Sequence, residues 1–454
     1  MLGLDFVLNS TSGKLVSGGN GISFSGVSTD SRNISSGEIF FALRGENYDG
    51  HEYVDEAIKK GAGGAVIEQN SIAHEAGKLL IRVPSTLRAL GDLASQWRKS
   101  FPQLKLAAVT GSNGKTTTKE MAWSMVSRKY KTLKNTGNFN NLIGLPLTLF
   151  KLDASYKAAV VELGMNDFGE IKRLAEIALP DTGAITNIGR AHLEKLGGIE
   201  GVARAKGELV EGFTGENVFV VNADDPRTAE IAKKTDCKKI TYGIKSDGAD
   251  ITARNIIQDG FSGIDFLIRT KNEEFPVRIK GIGVHNVMNA LCASGIALSM
   301  GCGKDEIIAG LEGFTPGYMR LEVLESPSGF RVINDTYNAN PDSMRSAADE
   351  LMGLKGGGRA IAVLGDMLEL GEKSAGEHYG VGEYLSASGV DYVIACGNFG
   401  RTLLEGAGGG PNCFYAESHE EAANIVREIA GPGDLVLVKG SRGMRMEEVT
   451  KKLV

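Results

Sequence analysis

Short, nearly continuous apolar runs recur along the 454-residue chain, each ending in a polar, glycine-bearing break. Before residue 84 they lie at 39–43, 64–67 and 79–83. Further on they lie at 104–109, 157–163, 182–188 and 217–222, and then at 330–334, 360–364, 391–395 and 434–438. Runs without alternation fit strands buried on both faces, and so parallel sheets covered by helices. Residues 250–281 alternate instead and predict a small antiparallel addition. Pro84 opens a predicted helix over 85–99, with Leu87, Leu90, Leu93, Ala94 and Trp97 at helical spacing. The pattern predicts an α/β protein of three domains. A small α/β domain spans 1–83, a central domain with a mostly parallel sheet spans 84–314, and a Rossmann-like domain spans 315–454. The last lacks a G-x-G-x-x-G fingerprint, which argues against a dinucleotide oxidoreductase.

Composition changes this picture little. Hydrophobic residues make up 42% and charged residues 23%, as in ordinary globular proteins, and the net charge of −6 provides no basic field for nucleic acid or an anionic membrane. The N-terminal residues lack the pattern of a signal peptide, and no apolar run approaches the ~20 residues that span a bilayer. The five cysteines, Cys237, Cys292, Cys302, Cys396 and Cys413, are scattered and read as reduced thiols of a cytoplasmic protein.

The strongest chemical signal is LKLAAVTGSNGKTTTK at 104–119. An apolar strand breaks into Gly111-Ser112-Asn113-Gly114, and Lys115 and three threonines, Thr116, Thr117 and Thr118, lead into a helix-compatible stretch from Lys119 to Val126. Strand, glycine loop and helix N-terminus make a phosphate cradle, in which Lys115 supplies positive charge and Thr116 a hydroxyl for Mg²⁺. The general P-loop has a glycine where Val109 stands, so the match is to the shorter form beginning at Thr110. The competing reading is a glycine turn ahead of an ordinary helix.

Other polar residues gather where strands end, the place where open α/β sheets bind ligands. Glu162 closes an apolar strand, where its carboxylate needs either a Mg²⁺ ion or a buried salt bridge. His192, in NIGRAHLE, is open between a metal ligand and a structural histidine. Lys206 reads as a solvated helix lysine. Asn286 and Asn289 open a helix and could either meet a base edge or cap the helix. The amide-rich loop 135–141, with Asn138 and Asn141, suits sugar or phosphate contacts or is a plain turn. Asp335 follows a strand and could hold a ribose hydroxyl. Lys439 and Arg442 suit a carboxylate or a transferring phosphoryl group, with a surface salt-bridge pair as the alternative.

In order along the chain stand VSTDSR at 27–32, TGSNGKTTTKE at 110–120, TGNFNNLIGLPLTL at 136–149, ELGMN at 162–166, NIGRAHLE at 187–194, AKGE at 205–208, HNVMNA at 285–290, DTYNANPDSM at 335–344, LGDMLELG at 364–371 and VKGSRGMRMEEV at 438–449. With these the chain resembles the Mur ligase family over its whole length. NANPDSM and LGDMLELG resemble the branch that joins D-alanyl-D-alanine to UDP-N-acetylmuramoyl-tripeptide in peptidoglycan precursor synthesis. The resemblance implies a UDP-sugar-binding first domain, a central ATPase and a third domain that closes over the site and binds the amine. It implies a monomer that uses ATP with two Mg²⁺ ions. Lys115 would then contact the β- and γ-phosphates, Thr116 and Glu162 would bind one Mg²⁺, and His192 would serve the second. Lys206 matches a lysine that is carbamylated in the family. Asn289 matches the adenine contact, Arg320 a phosphate contact and Asp335 the ribose contact. Thr29, Asp30, Ser31 and Arg32 match the nucleotide-sugar site, while Asn338, Asn340, Lys439 and Arg442 lie where the peptide and dipeptide are handled.

The implied reaction runs through an acyl phosphate. A peptide carboxylate attacks the γ-phosphorus, and the dipeptide amine then displaces phosphate. Three further readings compete with it: a P-loop switch or motor NTPase, a nucleotide-sugar binding protein, and a folylpolyglutamate synthase-like ligase sharing the ATPase core.

Overall fold

The computed structural model describes residues 1–19, 21–45, 47–68 and 79–454. By packing the chain forms two units. The first comprises 1–108, 130–165 and 169–181, and the second comprises 109–129, 166–168 and 182–454.

In the first unit, five strands form a sheet in the order Lys14–Ser17, Leu80–Val83, Gly64–Glu68, Ile39–Phe41, Val27–Ser28. The first pair is antiparallel and the others are parallel. The predicted runs at 39–43, 64–67 and 79–83 are its centre. Ile39, Phe41, Val66, Ile81 and Val83 face a core shared with Leu90 and Leu93 of the helix Thr86–Lys99. Ser85 caps that helix by accepting a hydrogen bond from the Arg88 N–H, so the helix begins where the sequence places it. Leu90, Leu93 and Ala94 are buried, but Leu87 is 38% exposed and lies off the buried stripe. Strands Thr132–Lys134 and Ala158–Glu162 pair in parallel in the same unit. The strand Lys105–Thr110 starts there and ends in the second unit.

The second unit continues with four parallel strands, Thr182–Ile185, Val218–Asn222, Lys238–Gly243 and Ile251–Asp259. Two antiparallel strands, Gly263–Arg269 and Glu274–Ile279, extend them, as the alternation over 250–281 predicts. A six-stranded sheet holds the C-terminal part, in the order Glu322–Glu325, Arg331–Asp335, Leu435–Lys439, Ala360–Leu364, Tyr392–Cys396, Cys413–Ala416. All its pairs but the first are parallel. Its core joins Val332, Val363, Ile394 and Val436 to Val426 and Val449 of the covering helices. The periodicity reading missed Cys413–Ala416 and Glu322–Glu325, which are edge strands of four residues with mixed burial. The five cysteines are free thiols. No helix among the described residues is long and apolar enough to cross a membrane.

Candidate active site

The loop at 110–117 is built by its own backbone. Gly111 has φ +147°, and a Cβ there would meet Thr186 Oγ1 at 1.8 Å. Gly114, at φ +79°, turns the chain into the helix Lys115–Val126. Only glycine meets both demands without strain. The helix therefore starts at Lys115, four residues before the stretch that looks helical in sequence. The Thr118 N–H donates to Gly114 O and closes the first turn, so the N–H groups ahead of it lie at the helix N-terminus. Lys115 Nζ reaches back to Gly111 O at 2.8 Å and Ser112 O at 3.4 Å, which puts its charge over the loop.

The segment after strand Thr182–Ile185 braces this loop. Ser112 N donates to Asn187 O at 3.0 Å, and Asn113 N donates to Asn187 Oδ1 at 3.0 Å. Gly189 N donates to Ser112 Oγ at 2.8 Å, and Ile188 N to Asp225 Oδ2 at 2.7 Å. Thr186, Asn187 and Asp225 were not singled out for this in the sequence. Thr186 and Asn187 follow a strand, and Asp225 lies three residues past the end of Val218–Asn222. Polar residues at strand ends were the usable signal.

The C-terminal part of the second unit meets the same loop. Arg320 donates to Thr116 Oγ1 at 2.9 Å and lies 3.9 Å over the Tyr337 ring. Its neighbours Met319 and Leu321 have φ of +61° and +49°. Left-handed residues on either side of Arg320 cost about 1 kcal/mol or more each and here present the guanidinium to the loop. Asn340 Nδ2 donates to Asn113 Oδ1 at 2.8 Å, while its own Oδ1 caps the helix Pro341–Leu354. Asp342, in the first turn of that helix, accepts from Arg190 N at 2.8 Å.

Asn289 is buried against the loop and accepts from Thr118 Oγ1 at 3.3 Å, while its Nδ2 donates to Asn286 Oδ1 at 3.1 Å. Asn286 in turn donates to Ile282 O at 2.7 Å. His192 has φ +55° and pairs through Nδ1 with Glu369 at 2.6 Å. This hydrogen bond holds the Glu369 carboxyl below its usual range against the opposing effect of burial. Glu369 lies in LGDMLELG, and its partnership with His192 was not legible in either motif alone.

Lys206 overturns its sequence reading. It is 1% exposed, so it is not a solvated helix lysine, and its helix Ile199–Gly207 turns it inward. Burial, with the nearby Lys115 charge, pushes its amine well below the ordinary lysine range. Lys439 also differs from the surface pair the sequence allowed. It is buried, pairs with Asp335 and donates to Asn338 O at 3.0 Å. Arg442 pairs with Glu447 at 3.1 Å.

The remaining predicted residues lie in the first unit. Glu162 is buried and accepts from Asn140 Nδ2 at 2.8 Å. Asn135 grips the Glu162 backbone in both directions, N–H to Oδ1 and Nδ2 to C=O, each at 2.9 Å. Asn141 Oδ1 accepts from Ile143 and Gly144 N–H, and Asn138 is exposed. Asp30 accepts from Arg32 Nε at 2.9 Å, which lowers its carboxyl to about 2. Thr29 is partly buried beside them and Ser31 is buried. Among the described residues no cluster of three or more His, Cys, Asp or Glu side chains could hold a metal.

Three family models match the chain: the Mur ligase family catalytic domain over 23–98, the Mur ligase middle domain over 109–297, and the Mur ligase glutamate ligase domain over 319–442. The chain is 36% identical over 433 residues to the UDP-N-acetylmuramoyl-tripeptide–D-alanyl-D-alanine ligase of Bacillus subtilis, covering 94% of this chain and 93% of that one. It superposes on a crystal structure of MurF from Acinetobacter baumannii with a TM-score of 0.92 at 34% identity, covering 100% of this chain and 98% of that one. MurF ligase from Thermotoga maritima, solved with ADP, gives 0.84 at 27% identity over 94% and 96%.

Proposed function

Because the chain belongs to the Mur ligase family and has its three-domain fold, we propose that the second unit's phosphate loop energises the joining of D-alanyl-D-alanine to UDP-N-acetylmuramoyl-tripeptide. The chain is an ATP-dependent ligase of peptidoglycan precursor synthesis, in keeping with relatives named UDP-N-acetylmuramoyl-tripeptide–D-alanyl-D-alanine ligase and a MurF ligase solved with ADP. The observation that carries the residue-level reading is the convergence on one loop. Lys115, Arg320, Asn340 and Asn289 all bond to or pack on 111–118.

Two anions meet when the tripeptide carboxylate attacks the γ-phosphorus. Lys115, Arg320 and the helix N-terminus stabilise the charge spread over the transferring group. ADP leaves and an acyl phosphate remains. The dipeptide amine attacks the acyl carbon, phosphate departs and an amide forms. The amine sheds its proton to attack, and His192, held by Glu369, is a proton acceptor at hand. Arg320 and Asn340 bring the C-terminal sheet onto the loop and exclude water from the reactive acyl phosphate.

Mg²⁺ fits the donor chemistry. Thr116 in the second unit and Glu162 in the first each carry the hard oxygen it takes. When bound with ATP it neutralises phosphate charge. Lys206 fits the carbamylated lysine of the family. Its amine is buried, has no carboxylate within salt-bridge distance among the described residues and has its pKa pushed well below the ordinary range, which favours the neutral form that adds CO₂ with loss of a proton to give an oxygen ligand. Thr29, Asp30, Ser31 and Arg32 bind the nucleotide sugar, Asn289 the adenine and Asp335 the ribose. Asn138 and Asn141 contact sugar or phosphate, and Asn338, Asn340, Lys439 and Arg442 handle the peptide and dipeptide. The domains run 1–83, 84–314 and 315–454. One chain suffices, working in the cytoplasm where ATP is available.

Phosphate release from ATP, with and without each partner substrate, tests this reading. Release requiring both, with a pentapeptide product by mass, is the expected result. Release independent of either would return the switch NTPase, and sugar-nucleotide binding without release would return the binding protein.

A further inference from the structure

The bracing of the phosphate loop has a direction built into it. Peptide planarity makes the C=O of one residue and the N–H of the next point opposite ways. The Gly111 and Ser112 carbonyls accept from Lys115 Nζ, and the N–H groups that follow them, of Ser112 and Asn113, face Asn187. At Asn113 the direction reverses. Its carbonyl accepts from Thr186 Oγ1 at 2.5 Å and Asn187 Nδ2 at 3.1 Å. Both lone pairs of that oxygen are thereby used. The next N–H, that of Gly114, is turned to the opposite side, at the start of the helix where the first-turn N–H groups lie.

Thr186 is itself held rigidly. Its N–H donates to Thr110 O at 2.9 Å. Its carbonyl accepts from two buried donors, Asn222 Nδ2 at 2.8 Å and Tyr242 Oη at 3.1 Å. With the backbone fixed from both sides, a β-branched side chain has little freedom at χ1. Its hydroxyl also fills the space left by the absent Cβ of Gly111.

We propose that Thr186 is a positioning residue for phosphoryl transfer. Its hydroxyl holds the Asn113 carbonyl away from the nucleotide and so aims the Gly114 N–H at the phosphates. A carbonyl left free to swing toward the triphosphate would repel it and withdraw a donor in the same motion. Tyr242 and Asn222 act one step further out, by fixing Thr186. The inference rests on the assignment of 110–117 as the triphosphate site.

The test compares Thr186→Val with Thr186→Ser in the full enzyme, with KM measured for each of the three substrates. Valine keeps the shape and loses the hydroxyl, whereas serine keeps the hydroxyl. Thr186→Val is expected to raise KM for ATP about five- to tenfold and leave the other two KM values within about twofold. Thr186→Ser is expected to restore ATP binding to within about twofold of wild type. Should the valine protein not fold, Thr186→Ala serves in its place with the same expectation. An ATP KM that does not move in the hydroxyl-less variant, or equal losses for all three substrates, overturns the proposal. Lys115→Ala separates this from the underlying assignment. If that variant keeps wild-type ATP binding and turnover, the loop is not the triphosphate site. If it is crippled while Thr186→Val is not, only the role of Thr186 falls.

Discussion

Lys206 and Lys439 are both buried in the second unit, the first 1% and the second 2% exposed, and their surroundings are opposite. Lys439 ends the strand Leu435–Lys439 and meets the Asp335 carboxylate and the Asn338 carbonyl. Lys206 stands one residue before the end of its helix, with no carboxylate in reach among the described residues and the charge of Lys115 nearby. A buried ammonium costs several kcal/mol unless it is paired. The Lys439 pair therefore ties two neighbouring strand ends together, Asp335 of one and Lys439 of the other. At Lys206 burial and the Lys115 charge instead disfavour the ammonium and push the amine well below the ordinary lysine range. Burial alone does not distinguish the two lysines; the partner does.

Replacing each lysine by methionine should separate the two roles. If Lys206 carries the proposed carbamate, Lys206→Met should cost turnover about a hundredfold or more, the scale of a lost metal contribution. Stability should hold or rise, since an unpaired buried polar group is replaced by an apolar one. Turnover within a few-fold of wild type, measured by phosphate release, would remove Lys206 from the chemistry. Lys439→Met should do the reverse in stability. It strands Asp335, which is partly buried and has only the Leu321 N–H, at 3.3 Å, as its other described partner. A loss of about 3 kcal/mol in denaturant unfolding is expected, and a loss below about 1 kcal/mol would show the pair to be incidental.

The pH dependence of stability sharpens the same contrast. The Lys206 amine has a folded pKa well below its ordinary value of 10.5. Between those two values the unfolded chain binds the extra proton, so stability rises with pH across that window and is lower below it. In CO₂-depleted buffer, where the amine carries no carbamate, Lys206→Met removes the group and should flatten this alkaline rise. An unchanged slope in urea titrations between neutral and alkaline pH would mean that Lys206 keeps its proton in the fold.

The sequence carried the sheets well and the partnerships poorly. Unbroken apolar runs such as Ala360–Leu364 and 435–438 are buried on both faces, so their composition alone marks them as parallel strands. The phosphate loop was legible because Gly111 and Gly114 answer local backbone demands that a motif records. The burial of Lys206 was not legible. Its helix presents Val202, Ala205 and Lys206 inward, and AKGE looks the same on either face. Nor could spacing reveal that Glu369 holds His192 or that Asn340 holds Asn113, because those pairs join segments 177 and 227 residues apart. Strand-end position narrowed the candidates, and only the fold paired them.

The exposed pair of the first unit marks the weak end of the scale. Asp30 and Arg32 bond at 2.9 Å, but their side chains are 37% and 81% exposed. The hydrogen bond from Arg32 holds the Asp30 carboxyl at about 2, below the ordinary 3.8. A depressed carboxyl stabilises the fold above its unfolded value, and that contribution is lost as pH falls through about 2. Water and salt screen an exposed pair, so little of the shift reaches global stability. Arg32→Ala should return Asp30 toward 3.8 in an NMR titration while leaving the urea midpoint unmoved at neutral pH. Molar salt should erase most of the wild-type shift in the same titration. A midpoint that drops as far as in Lys439→Met would make this pair structural too, and would break the distinction between buried pairs that hold the fold and exposed ones left available to a ligand.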